Sequence, residues 1–163
     1  MRIAIVLGTR PEVMKNWSIV RALRNRGIYV RVLHTNQHYD REMNSSLFEQ
    51  LNYRPDQVFP GAYKLGAAID WVRDYIVSDS IDLLIVNGDT AAALVGALAA
   101  LYEDVQVAHV ESGLRSGDSA MIEERNRIMV DMAAHYLFCY TSERAAYLSE
   151  ISEIRGRIVC VGN

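Results

Sequence analysis

Two cysteines and three prolines among 163 residues leave little material for a stapled or loop-built scaffold. Cys139 and Cys160 each sit inside apolar, strand-like runs, so they read as reduced core thiols and not as a disulfide framework. Long apolar stretches are missing too. The longest, Ala91–Tyr102, falls well short of the roughly 20 residues that span a bilayer. Ile3–Leu7 is too brief for the apolar region of a secretory leader and runs straight into Thr9-Arg10-Pro11-Glu12. These absences speak against a membrane protein, and the expected compartment is the cytoplasm. An excess of basic charge is also lacking: 17 Lys and Arg against 20 Asp and Glu give a net charge of −3. No basic stripe supplies the phosphate-neutralising contacts that nucleic-acid binding needs, so nucleic acid is not an expected partner. No repeat or low-complexity segment is present. What remains is an ordinary soluble composition, in a length suited to one domain over residues 1–163 with a sizeable core.

The chain is organised around residues 82–118, which read as strand, tight turn, buried helix, strand and glycine loop. Asp82–Val86 is a short apolar run that stops at Asn87-Gly88-Asp89-Thr90. From Thr90 to Tyr102 nearly every residue is apolar or small, the mark of a helix buried all round. Val105–Val110 is a second strand, running into Glu111-Ser112-Gly113-Leu114-Arg115. Two parallel strands joined by a helix bring both turns to one end of the sheet, where open α/β folds bind ligands. The same alternation extends in both directions. Strands are expected at Arg2–Leu7, Tyr29–Leu33, His135–Tyr140 and Arg157–Val161. Helices are expected from Pro11 to Gly27 and over Arg41–Leu51, Lys64–Val77, Ile122–Ala134 and Ser142–Glu150, the last capped by Ser142. A short edge strand is possible in the loop Asn52–Gly61. Regular alternation of this kind predicts an α/β fold, a doubly wound parallel sheet.

In a parallel sheet the polar strand ends gather on one rim, and here they hold arginine, lysine, carboxylates and histidines. Each has a plain structural reading beside a functional one. Asp89 before an apolar helix looks like an N-cap. Glu111 follows a buried strand, where a carboxylate needs a partner, and Arg115 is the nearest one in sequence. Arg10 precedes a proline and so aims outward. Arg10 and Lys15, with the N–H groups of their helix start, suit a phosphate. Glu123 and Glu124, with Asn126 and Arg127, suit a solvated helix start. His34 and His109 lie in strands and read as core residues, and His38 suits a local cap. His38, His109, Glu111 and Asp89 match no recognised metal-ligand spacing, so no metal is expected. The Asn87-Gly88-Asp89-Thr90 turn also suits a metallophosphoesterase, but those enzymes need early ligand Asp and His residues where this chain has Gly8-Thr9-Arg10.

Taken together, GTRPEVMK at 8–15, TNQH at 35–38, NGDT at 87–90, AHVESGLRSGD at 108–118, EERNR at 123–127 and VGN at 161–163 resemble the N-terminal domain of the non-hydrolysing UDP-N-acetylglucosamine 2-epimerases. Order and spacing agree along essentially the whole chain. The resemblance implies the Rossmann-like N-terminal half of a glycosyltransferase-B-type fold, with the sugar nucleotide held between two domains. It implies interconversion of UDP-N-acetylglucosamine and UDP-N-acetylmannosamine: removal of the C2 proton, expulsion of UDP to leave 2-acetamidoglucal, then re-addition with C2 inverted. By resemblance Asp89, Glu111 and Glu123 fall on catalytic carboxylates, and Arg10, Lys15 and Arg115 on the substrate-binding side. Gln37 and His38 fall where some bacterial members bind a second, activating UDP-sugar. No metal or redox cofactor is implied. This chain differs in having Asn87 where the family usually has His, and Met121-Ile122 in place of a proline-bearing segment. The second, UDP-binding domain of the family lies outside these 163 residues, so a C-terminal partner domain or a homodimer is expected, with little activity from the chain alone. The rival reading is a non-catalytic nucleotide-sugar-binding or assembly module.

Overall fold

Apolar runs of a few residues alternate with helical segments from Arg2 to Cys160. The computed structural model describes residues 1–37, 48, 51 and 53–162. The helix expected over Arg41–Leu51 falls largely outside these residues, as do His38 and Asn163. In chain order the elements are β1 (Arg2–Leu7), α1 (Arg10–Asn25), β2 (Tyr29–His34), β3 (Gln57–Val58), α2 (Leu65–Ser78), β4 (Leu83–Asn87), α3 (Ala91–Tyr102), β5 (Gln106–Val110), α4 (Ile122–Ala133), β6 (Tyr136–Cys139), α5 (Ser142–Ser149) and β7 (Arg157–Cys160).

The seven strands form one sheet in the order β3-β2-β1-β4-β5-β6-β7, with all neighbours parallel. This is the doubly wound α/β arrangement expected from the alternation, and the two-residue edge strand β3 lies where one was possible. Strand order reverses between β1 and β4, and such a reversal opens a crevice beyond the carboxyl ends of the two strands. The core lies in two layers. On one face Ile3, Ile5 and Leu7 of β1 meet Val13 and Val20 of α1. On the other face β4 and β5 meet α2, α3, Val130 of α4 and Leu148 of α5. Helix α3 is buried almost all round, as its composition requires.

Two local details differ from the sequence reading. Helix α1 begins at Arg10, one residue before Pro11. Helix α5 is capped by Thr141, whose hydroxyl accepts the Arg144 N–H at 3.4 Å, and not by Ser142. Both candidates are good caps, and the strand end decides which of them stands outside the helix.

Helix α3 presses onto the sheet through Gly96. A β-carbon there would lie 2.6 Å from Val86 Cγ1 and 3.1 Å from Val6 Cβ. On an exposed helix Gly→Ala stabilises by about 1 kcal/mol. Here overpacking of about 1–3 kcal/mol opposes that gain. Gly96→Ala is therefore expected to lower the urea midpoint with an unchanged m-value, and a raised midpoint would refute this packing.

Candidate active site

At the switch point the turns after β1 and β4 are joined by one side chain. Glu12, on the first turn of α1, is buried at 3 % exposure. Its Oε2 accepts the Gly8 and Thr9 N–H groups at 2.9 Å and the Thr9 hydroxyl at 2.8 Å, while Oε1 accepts the Thr90 hydroxyl at 2.7 Å. Burial raises the Glu12 carboxyl above its ordinary range, and these donors work against that rise. In the sequence Glu12 is one acidic residue of the Thr9-Arg10-Pro11-Glu12 turn, with no site role of its own. Its contacts also change the phosphate argument, because the Gly8 and Thr9 amides in the turn before α1 are already engaged. At the start of α3, Gln37 Oε1 accepts the Ala92 N–H at 3.0 Å and Thr90 Oγ1 accepts that of Ala93 at 3.2 Å. Thr90, and not Asp89, is the cap of α3.

Asp89 is turned instead toward α4. Its carboxylate pairs with Arg127, and its backbone carbonyl accepts the Asn126 side-chain amide at 2.9 Å. Arg127 also lies 3.1 Å from Glu124. Glu111, beyond β5, has φ of 70°, in the left-handed region that costs a non-glycine residue of order 1–3 kcal/mol. Its Oε1 receives both Lys15 Nζ and the Tyr140 hydroxyl, each at 2.7 Å. Its Oε2 lies 3.0 Å from the position a β-carbon on Gly88 would take. Glu111 thus pairs with Lys15 from α1 and not with Arg115 from its own loop. Among the described residues no group of three or more His, Cys, Asp or Glu is gathered in a way that could hold a metal ion.

Arg115 belongs to a buried cluster below the rim. Its guanidinium lies 2.7 Å from Asp131 Oδ2, which also accepts the Gly113 N–H at 3.2 Å. Asp131 Oδ1 lies 2.7 Å from His109 Nδ1, and His109 Nε2 lies 2.9 Å from the Gly88 carbonyl. His109 and Asp131 are both essentially inaccessible to solvent. Gly113 has φ of 79°, and a β-carbon there would meet the Arg144 carbonyl at 3.0 Å, so no larger residue fits. Glu124 fastens the rest of the loop: its carboxylate accepts the Ser116 and Gly117 N–H groups at 2.9 and 3.3 Å. These amides, the Ser116 bond first, and the Arg127 guanidinium hold its carboxyl down at about 2. Glu123 is half-buried one residue earlier, and Arg10 is exposed at the start of α1. The rim thus sets Asp89 against Arg127 and Glu111 against Lys15, places Gln37 against α3, and adds Glu12 and Tyr140. Sequence alone reads Arg127 as part of a solvated helix start and gives Glu12 and Tyr140 no place in a site, because the contacts to Asp89, Thr90 and Glu111 join residues distant in the chain.

Residues 21–163 match the family model described as UDP-N-acetylglucosamine 2-epimerase. The chain belongs to this family. A UDP-N-acetylglucosamine 2-epimerase of Methanocaldococcus jannaschii is 37% identical over 169 residues, covering 100% of this chain and 46% of that protein. A UDP-2,3-diacetamido-2,3-dideoxy-D-glucuronate 2-epimerase of Pseudomonas aeruginosa is 35% identical over 148 residues, covering 86% of this chain and 42% of that protein. The crystal structure of the Methanocaldococcus jannaschii enzyme in complex with UDP-GlcNAc and UDP superposes with a TM-score of 0.89 at 38% identity, over 100% of this chain and 47% of that one. The chain spans about half the length of the relatives it matches. A MurG structure from Acinetobacter baumannii, 15% identical with a TM-score of 0.67, shares the fold alone.

Two measurements test the geometry. Removing one partner of a buried pair costs about 3–5 kcal/mol, whereas a half-exposed pair contributes less than about 1 kcal/mol. Asp131→Ala should therefore collapse the denaturant midpoint, while Lys15→Met barely moves it. Acid stability isolates Glu124. Its folded-state carboxyl titrates near 2, against 4.5 ordinarily, so its contribution is complete above pH ~4.5 and is lost as pH falls toward 2. The stability gap between wild type and Glu124→Gln should be constant above about pH 5 and close over that window. A gap that persists at pH 2 would contradict the assignment.

Proposed function

We propose that this chain is the half of a UDP-N-acetylglucosamine 2-epimerase that supplies the acid–base carboxylates, working with a second domain that completes the cleft. The observation that carries the reading is the pairing of two carboxylates, Asp89 and Glu111, with Arg127 and Lys15 on one rim beside the switch point. The reaction needs a base for the C2 proton, loss of the C1–O bond with its electron pair leaving on the diphosphate of UDP, and re-addition with the proton delivered to the opposite face of C2. Asp89, Glu111 and Glu123 are the carboxylates assigned to proton transfer and its support. Arg10 and Lys15, exposed and half-exposed, meet the developing charge on the diphosphate. Arg115 is grouped with them by resemblance, but its guanidinium is engaged by Asp131, so its part here is to hold the loop. Gln37, with His38 beside it in sequence, is assigned to a second, effector UDP-sugar. Among the described residues no helix is long and apolar enough to cross a membrane, and the two unpaired cysteines, Cys139 buried and Cys160 exposed on the edge strand instead of in the core, agree with a reducing cytoplasm.

One observation favours an added role in assembly. Leu101 and Tyr102 of α3 and Met129 and Met132 of α4 are all exposed. Leu101, Met129 and Met132 border a groove of about 800 Å³, an apolar face suited to a homodimer.

The test joins this chain to the C-terminal half of the Methanocaldococcus jannaschii enzyme and supplies UDP-N-acetylglucosamine in heavy water. Deuterium should enter C2 and the manno epimer should appear. Asp89→Asn and Glu111→Gln should each slow that exchange by about 10²-fold or more. The chain alone should be inert. A folded chimera without exchange, or turnover by the chain alone, would count against the proposal.

A further inference from the structure

Tyr140 belongs to no motif that the resemblance rests on, and the proposed reaction assigns it nothing. It follows β6, half-buried, with its hydroxyl 2.7 Å from Glu111 Oε1. Burial first, then the neighbouring carboxylate, raises the phenol's ionisation well above the ordinary tyrosine range. The group therefore stays a hydroxyl at working pH and donates. Lys15 donates to the same oxygen, so Oε1 carries two donors while Oε2 receives none among the described residues. The two donors differ in permanence. Lys15 ends a flexible stem at 47% exposure, whereas Tyr140 is carried by a strand end with two torsions to set. When an anionic group draws Lys15 away, Tyr140 is the contact that keeps Glu111 in place.

We propose that Tyr140 is a positioning residue for Glu111: it ties down Oε1 and so presents Oε2, on the Gly88 side, as the oxygen that exchanges a proton with substrate. The inference rests on the proposed function, because it takes Glu111 as a proton-transferring carboxylate. Its geometry is testable without that function. Among the described residues the titratable groups in contact at the phenol are Glu111 and, across its carboxylate, Lys15.

The full chain is labelled with ¹³C at tyrosine Cζ, and the Tyr140 line is identified by its loss in Tyr140→Phe. On acidification through the carboxylate range this line should follow the protonation of Glu111, and in Glu111→Gln it should stop responding. The Gly88 Cα line, beside Oε2, should follow the same titration in the wild type. In Tyr140→Phe, which keeps the ring but loses the donor, that response should fall by about half or more. If Glu111→Gln fails to fold, Lys15→Met serves in its place. With the competing donor gone, the Tyr140 line should move further in the hydrogen-bonded direction. A Tyr140 line indifferent to acid, one unmoved in Lys15→Met, or a Gly88 response unchanged in Tyr140→Phe overturns the proposal. In the chimera, Tyr140→Phe should slow C2 exchange about tenfold and shift its pH profile, and an unchanged profile also overturns it. A wild-type chimera without exchange counts instead against the proposed function, while the tyrosine and glycine lines still decide whether Tyr140 orients Glu111.

Discussion

The buried Asp131 carboxylate holds the active rim together. Its three neighbours are His109, the Gly113 N–H and Arg115, and each belongs to a different part of the rim's support. His109 passes the contact on to the Gly88 carbonyl, in the turn that carries Asp89. Gly113 is two residues past Glu111, and Arg115 lies two residues further along the same loop. A buried charge is tolerated only when it is paired and hydrogen-bonded. Here the compensating groups are themselves the supports of two turns, so docking α4 against β5 and shaping the rim are one event. The left-handed backbone of Glu111 is the visible cost of that arrangement.

Above this anchor the two candidate carboxylates are held differently. Asp89 pairs with Arg127, which is 19% exposed and also fastened by Glu124. Glu111 pairs with a half-exposed lysine, a kind of contact that contributes little net stability. The first pair is part of the frame and the second can be exchanged. In the proposed reaction an arriving diphosphate competes for Lys15 and leaves Asp89 undisturbed. Glu111 then loses its cation partner when the substrate is in place.

Most of the architecture was legible in the sequence because it rests on local signals. Apolar runs closed by Gly8, Asn87 or Gly113, and helices closed by Gly27, place strands and turns to within a residue or so, and parallel topology then puts every turn on one rim. The rim's members were legible, but their partners were not. Asp89 and Thr90 are equally good caps, and the choice between them is made by Arg127, 38 residues away in the chain. Arg115 is the nearest cation to Glu111 in sequence, yet Asp131, in the last turn of an amphipathic helix, claims it. Tyr140 looked like the last residue of a strand. These outcomes depend on which side chains the fold brings together, and no periodicity carries that information.

The placement of Glu12 bears on how the site meets a diphosphate. In many doubly wound folds the turn after β1 offers its amides to phosphate at the head of the next helix. Here a carboxylate of the chain already occupies the Gly8 and Thr9 amides, and α3 has its first amides taken by Gln37 and Thr90. An incoming phosphate at either helix start would have to displace an internal acceptor, and at β1 it would also face a buried carboxylate. In the proposed function the diphosphate therefore lies out along α1, toward Arg10 and Lys15. Anion binding by this half then rests on mobile side-chain cations, which salt screens readily, and not on fixed backbone dipoles. In the proposed reaction that suits a group that must be held, released as UDP and recaptured within one cycle.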